Sequence, residues 1–300
     1  MTAVVALGGN ALMRPGERGT AAEQRANLRE ACAALRPLLD EELVVTHGNG
    51  PQVGNELLRQ ERAADEVPPL PFYLAVAQTQ AEIGAMIETE LAGAVERPVA
   101  CLLTHVHVAA DDRAFERPTK PIGPFYSEEQ ARSLEQERGW QLVEDAGRGF
   151  RRVVPSPRPL EIVELSSIRA LLAAGAITVA CGGGGIPVVS RNDYLKGVDA
   201  VIDTDRASAL LAERLDAERL VILTEVPCVY RRYRKSNQEA VRELSASEAE
   251  ELLPELPEGS MRPKLEAAVA FARVGGATLI TSSAALADAL RGEAGTVIGR

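Results

Sequence analysis

Aromatic residues are scarce in this chain, 4% of 300 residues with a single tryptophan, and cysteine is scarcer still at four. Cys32, Cys101, Cys181 and Cys228 stand far apart with no C-x-x-C spacing, which argues against both a zinc centre and a disulfide scaffold. Positive charge is in deficit. Thirty-three Lys and Arg against 43 Asp and Glu leave a formal net charge of −10, the wrong sign for a protein that grips nucleic acid by neutralising phosphates. The stretch most like a membrane span, Ala170 to Ser190, carries no charge but is broken by Gly175, Gly182 to Gly185 and Pro187, so it reads as buried core. Met1-Thr2 runs directly into Ala3-Val4-Val5-Ala6-Leu7 with neither the basic region nor the long apolar region of a secretory signal. The chain therefore reads as cytoplasmic, with no membrane and no nucleic acid among its partners.

What is present is an ordinary globular composition, 46% apolar and 25% charged, large enough for a sizeable core. A short apolar run followed by glycines recurs: Val4 to Leu7 before Gly8-Gly9-Asn10, Leu43 to Thr46 before His47-Gly48-Asn49-Gly50, and Ile177 to Ala180 before Cys181 and Gly182 to Gly185. Unbroken runs of this kind suit strands covered on both faces, as in a mainly parallel sheet with crossover helices. Leu220 to Leu223 and Thr278 to Thr281 continue the series.

Thr20-Ala21-Ala22-Glu23 has capping-box spacing and predicts a helix start. Leu28, Cys32, Leu35 and Leu39 then form one stripe, which Pro37 should end or kink. Further helices are predicted over about 166–174, 207–215 and 263–273, the last with Pro263 in its first turn and Gly275-Gly276 as a stop. From about 110 to 160, prolines cluster at both ends of a charged stretch, as expected of a protruding subdomain or lid.

Glycines after parallel strands let backbone N–H groups converge on an anion that approaches closely. Each cluster alone also reads as a tight turn, and Asn10 and Asn49 serve turns as readily as they orient a small planar acid. Neither a Walker motif nor a clean G-x-G-x-x-G opening a helix occurs. His105 and His107 alternate along a predicted strand, but two histidines without a third ligand make a weak metal signal.

Across nearly its whole length the chain resembles the carbamate kinases of the amino-acid-kinase superfamily. The resemblance is carried by Ala6 to Leu12, His47 to Gly54, Pro118 to Tyr126, Val153 to Pro157, Gly182 to Val188, Ala200 to Asp203 and Gly259-Ser260-Met261. It implies one domain over residues 1–300, a three-layer α/β/α sandwich with a mainly parallel central sheet. It also implies a homodimer that interconverts ATP plus carbamate with ADP plus carbamoyl phosphate, with magnesium and without a protein metal centre.

By the same resemblance Gly8, Gly9, Asn10, Gly48, Asn49 and Gly50 would surround the small acid and the transferring phosphoryl group, and Lys120 would reach over them. Gly182, Gly183, Gly184, Asp203, Thr224, Tyr230, Ser260, Met261 and Lys264 would lie by the nucleotide, with Asp205 holding phosphate-handling lysines in place. In-line positioning and charge compensation are what phosphoryl transfer asks of a protein.

Two positions depart from the family pattern. Thr204 stands where the family reads lysine between two aspartates, and Arg262 stands where it has glycine, two residues ahead of Lys264. One positive charge is lost and one gained. The expectation is that Arg262 turns into the phosphate site as the replacement, with Arg206 and Lys196 as lesser candidates. A kinase of another small acid, or a nucleotide-binding protein with weakened catalysis, are the alternatives that Thr204 keeps open.

Overall fold

The computed structural model describes residues 1–14, 16–145, 149–191, 194–256 and 260–299. In chain order the strands are β1 (Thr2–Leu7), β2 (Glu42–His47), β3 (Val99–Cys101), β4 (His105–Val108), β5 (Lys120–Tyr126), β6 (Leu142–Glu144), β7 (Phe150–Val154), β8 (Pro159–Ile162), β9 (Ile177–Val179), β10 (Ile186–Arg191), β11 (Tyr194–Gly197), β12 (Arg219–Thr224), β13 (Val229–Arg231), β14 (Glu239–Val241), β15 (Glu243–Leu244), β16 (Ala277–Ser282) and β17 (Thr296–Ile298). The helices are α1 (Ala21–Ala34), α2 (Gly50–Arg62), α3 (Phe72–Ala92), α4 (Glu128–Arg138), α5 (Leu165–Ala173), α6 (Thr204–Arg214), α7 (Ala246–Leu252), α8 (Met261–Arg273) and α9 (Leu286–Leu290).

The central sheet runs β15-β17-β16-β12-β1-β2-β9-β3. It is parallel from β16 to β3, with β17 antiparallel to β16. Alternation inside the apolar runs divides each strand between two cores. Val4, Ala6, Val44, Leu220 and Ile222 face α5, α6, α7 and α8, whereas Ala3, Val5, Leu7, Leu43, Val45 and Val221 face α1, α3 and α9. Helices on both faces are what keep these strands apolar throughout, and the architecture is the expected α/β/α sandwich.

The predicted local signals have counterparts. The Thr20 capping box is formed with Glu23, and Leu28, Cys32, Leu35 and Leu39 are buried on one face of the sheet. Pro37 lies beyond the end of α1, in a 3-10 turn over Arg36–Leu38. Helix α6 starts at Thr204 rather than near Ala207, because the Asp203 carboxylate accepts the N–H groups of Asp205 (3.0 Å) and Arg206 (3.2 Å).

Inside the proline-flanked segment lies a separate antiparallel sheet, β5-β7-β6, with α4 packed on it. It meets the body along α2, where two glycines face each other: a Cβ built on Gly54 would stand 2.0 Å from Gly123 Cα and 2.1 Å from its nitrogen. Gly123 itself has φ +73°, in the left-handed region, beside an irregularity in the β5–β7 register. A second small sheet, β11-β10-β4-β8, was not signalled by the sequence pattern.

Backbone cannot yield as a flexible side chain does, so Gly54→Ala must force β5 away from α2. We expect urea unfolding to report a loss of about 2 kcal/mol; an unchanged midpoint would mean that these two elements do not pack as described.

Candidate active site

Four parallel strands, β1, β2, β9 and β12, end on the same edge of the central sheet, and their following turns are stitched together there. The Gly8 N–H donates to Leu223 O (3.1 Å) and the Gly48 N–H to Leu7 O (3.1 Å). Crevices at the carboxyl ends of such strands are where open α/β sheets bind ligands. A Cβ on Gly8 would strike Leu223 O at 2.6 Å and lie 3.9 Å from Lys264 Nζ. One on Gly48 would lie 3.8 Å from Gly9 N and 4.0 Å from Thr204 Oγ1, and one on Gly9 would meet nothing within 4 Å. Gly8, Gly9, Gly48, Thr204 and Lys264 therefore converge on one space. Asn10 lies in the same turn by its backbone, within Gly9–Ala11.

Charge enters this space from three elements. Asp203 caps α6 and pairs with Lys120 from the start of β5. Asp205, one residue into α6, accepts from Lys264 Nζ at 2.9 and 3.2 Å, and Lys264 projects from the first turn of α8. Burial pushes the Asp203 carboxyl up, but the charge and hydrogen bond of Lys120, with Lys264 behind them, outweigh it and hold the group down at about 2. Burial alone would lower the Lys264 ammonium; Asp205, then Asp203 and Glu225, hold it above its ordinary value. The result is two ion pairs beside the glycine turns, each a part-buried lysine on a buried aspartate. Asp205, which could have served as the helix cap, holds Lys264 instead, and Asp203 is the cap.

The expectation for Arg262 is corrected. Its Nε donates to Leu253 O (3.0 Å) and its Nη2 reaches Pro254 O (3.5 Å), so the guanidinium satisfies carbonyls of the 3-10 turn after α7 rather than turning into the phosphate site. Arg206 pairs with Glu266 at 2.7 Å, and Lys196 is exposed on β11. Between the aspartates Thr204 presents a hydroxyl, while its carbonyl accepts from Ser208 Oγ (2.6 Å), itself bonded to Thr46 Oγ1 (2.6 Å).

Gly182, Gly183 and Gly184, which the resemblance would place by the nucleotide, are buried beneath the turn that follows β2. A Cβ on Gly182 would stand 2.2 Å from His47 Nε2, and one on Gly183 would stand 2.3 Å from Asn49 Nδ2. At both positions a side chain has no room. Asn49 is itself buried, donating to Thr79 Oγ1 (3.0 Å). Gln80 donates to Gly182 O (2.8 Å) and accepts from the Thr104 N–H (2.7 Å), locking the turn from α3. Sequence reasoning missed Thr79, Gln80, Thr104 and Arg151. A polar Gln78-Thr79-Gln80 inside an apolar helical pattern was the available signal. Arg151 reaches the Gly50 turn from β7: its Nη2 lies 3.9 Å from a Cβ on Gly50, and its Nε donates to Gly123 O (3.1 Å).

Of the remaining nucleotide candidates, Thr224 ends β12, and Ser260 and Met261 open α8. Tyr230, on β13, stacks at 5.8 Å on Tyr233, and Gly259 lies outside the described residues. His105 bonds Glu164 (2.8 Å) and His107 bonds Ser190 (2.9 Å), so both rings have protein partners.

Known proteins share this fold and sequence. The family model for the amino acid kinase family matches residues 1–282. Carbamate kinase 3 of Staphylococcus aureus (strain USA300) is 46% identical, over 98% of this chain and 98% of its own. Carbamate kinase from Giardia lamblia bound to citric acid superposes with a TM-score of 0.93 at 39% identity, covering 99% of this chain and 97% of that one. The AMP-PNP complex of the Giardia lamblia enzyme gives a TM-score of 0.88 at 39% identity, covering 99% and 98%.

His47, whose Nδ1 bonds Gly48 O (3.0 Å), is fully buried, and burial holds its imidazole down at about 4 against an ordinary 6.5. The unfolded chain takes up this proton near pH 6.5 and the folded chain only near pH 4. The contribution to stability is therefore complete above pH 6.5 and lost as the pH falls toward 4, by about 3 kcal/mol in all. Denaturant titrations of wild type and His47→Gln across that window should show a shallower slope in the variant; equal slopes would place the proton uptake elsewhere.

Proposed function

The chain belongs to the amino acid kinase family and, within it, groups with the carbamate kinases, and on that premise we propose how its site works. It is a carbamate kinase-like phosphotransferase, moving a phosphoryl group between a nucleotide and a carboxyl-type acceptor, carbamate, with carbamoyl phosphate plus ADP yielding ATP in the reverse sense. The observation that carries the reading is the pair of lysines, Lys120 and Lys264, each paired with a buried aspartate beside the Gly8–Asn10 and Gly48–Gly50 turns.

A carboxyl-type acceptor is ionised at neutral pH and needs no general base. What it needs is an in-line approach and relief of the negative charge crowded on the equatorial oxygens. The backbone N–H groups of the two turns supply fixed donors, with the N-terminus of the 13-residue α2 directly behind Gly50. Lys264, over Gly8, serves the nucleotide side together with Thr224, Ser260 and Met261. Lys120 closes from the β5-β7-β6 sheet as a lid. Asp203 and Asp205 orient these ammonium groups rather than shuttling protons, and Asp205 holds the Lys264 ammonium above its ordinary value.

Magnesium belongs with the nucleotide. Both site carboxylates are taken by lysines, and no group of three acidic, cysteine or histidine side chains that could hold a metal occurs among the described residues. The donor set fits a cation that arrives on the phosphates, as magnesium commonly does. A cytoplasmic homodimer is part of the same reading. The four cysteines are unpaired thiols, as in a reducing compartment, and Leu160, Tyr194 and Leu195 leave apolar surface at the two edges of the β11-β10-β4-β8 sheet for a second copy to cover. No described helix is long and apolar enough to cross a membrane.

ATP formation from carbamoyl phosphate and ADP with magnesium, corrected for spontaneous breakdown, tests the reading. Wild type should turn over and Lys120→Ala should lose about 10²–10³ in kcat. Thr204→Lys, which adds a cation beside Gly48, should raise kcat. Undiminished ATP formation in Lys120→Ala would sink the assignment.

A further inference from the structure

Lys120 stands on a sheet outside the central one, so something must fix the angle at which that sheet sits over the site. Helix α2 is the common element. Its N-terminus carries the Gly48–Gly50 turn, its middle meets β5 at the Gly54–Gly123 approach, and its last turn carries Glu61. The Glu61 carboxylate pairs with Arg138 at the end of α4 through Oε2, and with Arg152 on β7 through Oε1 at 3.5 Å. The same two arginines flank Trp140, their guanidinium carbons 5.1 and 4.4 Å from the ring centroid, with Tyr126 tilted against the indole at 6.5 Å. A small cavity bounded by Gly54, Leu57, Gly123, Tyr126, Trp140 and Arg152 lies alongside.

We propose that Glu61 is a positioning residue, a latch that ties α4 and β7 to the far end of α2 and so sets where Lys120 stands over the Gly48–Gly50 turn. The inference rests on the reading that Lys120 acts at the transferring phosphoryl group. Thirteen helical residues span about 20 Å, so Glu61 is far from the reacting atoms and acts only through the sheet it holds. Two arginines from different elements converge on one half-buried carboxylate, and burial pushes the Arg152 guanidinium down, so removing the carboxylate leaves both cations against Trp140 without their counter-charge. A surface pair with a single partner would have no such reach.

The chain has one tryptophan, and it sits in the latch. Its emission in the full-length protein is therefore a direct readout. We expect Glu61→Gln to lower kcat for ATP formation about tenfold, with KM for ADP changed less than about twofold, because misplacement of Lys120 slows the transfer and leaves the nucleotide side intact. We expect Trp140 emission to shift in that variant, and the emission change produced by ADP and carbamoyl phosphate in wild type to be reduced. Glu61→Asp, which keeps the charge, should recover part of both signals. Wild-type kcat in Glu61→Gln, or a slow Glu61→Gln whose ligand-induced Trp140 change is intact, would overturn the latch. Wild-type rates in Lys120→Ala would instead overturn the underlying reading of Lys120, which keeps the two failures apart.

Discussion

The first turn of α6 is the constraint on which the site depends. Asp203 and Asp205 are two residues apart, yet each holds a lysine from a different part of the fold, Lys120 from the small antiparallel sheet and Lys264 from α8. Two carboxylates buried this close would repel each other and favour protonation if left alone. With a lysine on each, the cluster is near neutral overall, and Lys264 is held above its ordinary value where burial alone would lower it. Neither half is stable without the other, because breaking a buried pair strands a charge.

Beneath that turn the packing leaves no slack. Glycines occur at the strand ends because neighbouring backbone and polar groups occupy the space where a Cβ would be: Leu223 O against Gly8, His47 against Gly182, Asn49 against Gly183. The resulting surface is built of main chain, held from below by Gln80, Thr79 and Thr104 on α3 and the loop before β4. Fixed donors of this kind cost no reorganisation when charge develops on a phosphoryl group, which is why a site with so few side chains suits the chemistry.

Thr204 changes the electrostatics without changing the scaffold. Its neighbours keep their lysines, and its carbonyl is anchored through Ser208 to Thr46, so the α6 turn is held from the central sheet whichever side chain stands at 204. Arg262, two residues ahead of Lys264, is turned elsewhere. Its guanidinium bonds to the carbonyls of Leu253 and Pro254, which ties the start of α8, and with it Lys264, to the turn that follows α7. An arginine that resembles a replacement charge by position acts as a brace by geometry.

Local chemistry made much of this legible from the amino acids alone. The apolar runs ending in glycines gave away the parallel strands and Thr20 with Glu23 the start of α1, because each signal is carried by neighbours in the chain; Lys120, Asp205 and Lys264 were singled out only by the family resemblance. The sheet β11-β10-β4-β8, the role of Gln80, the direction of Arg262 and the meeting of Glu61 with Arg138 and Arg152 were not legible. Each depends on which distant residues the fold brings together, and spacing along the chain carries no information about a carbonyl or a counter-charge many residues away. The sequence by itself determined the strands, the turns and the charged groups available to them; only the tertiary structure decided which charge each lysine and arginine answers, since that choice is made by packing in three dimensions.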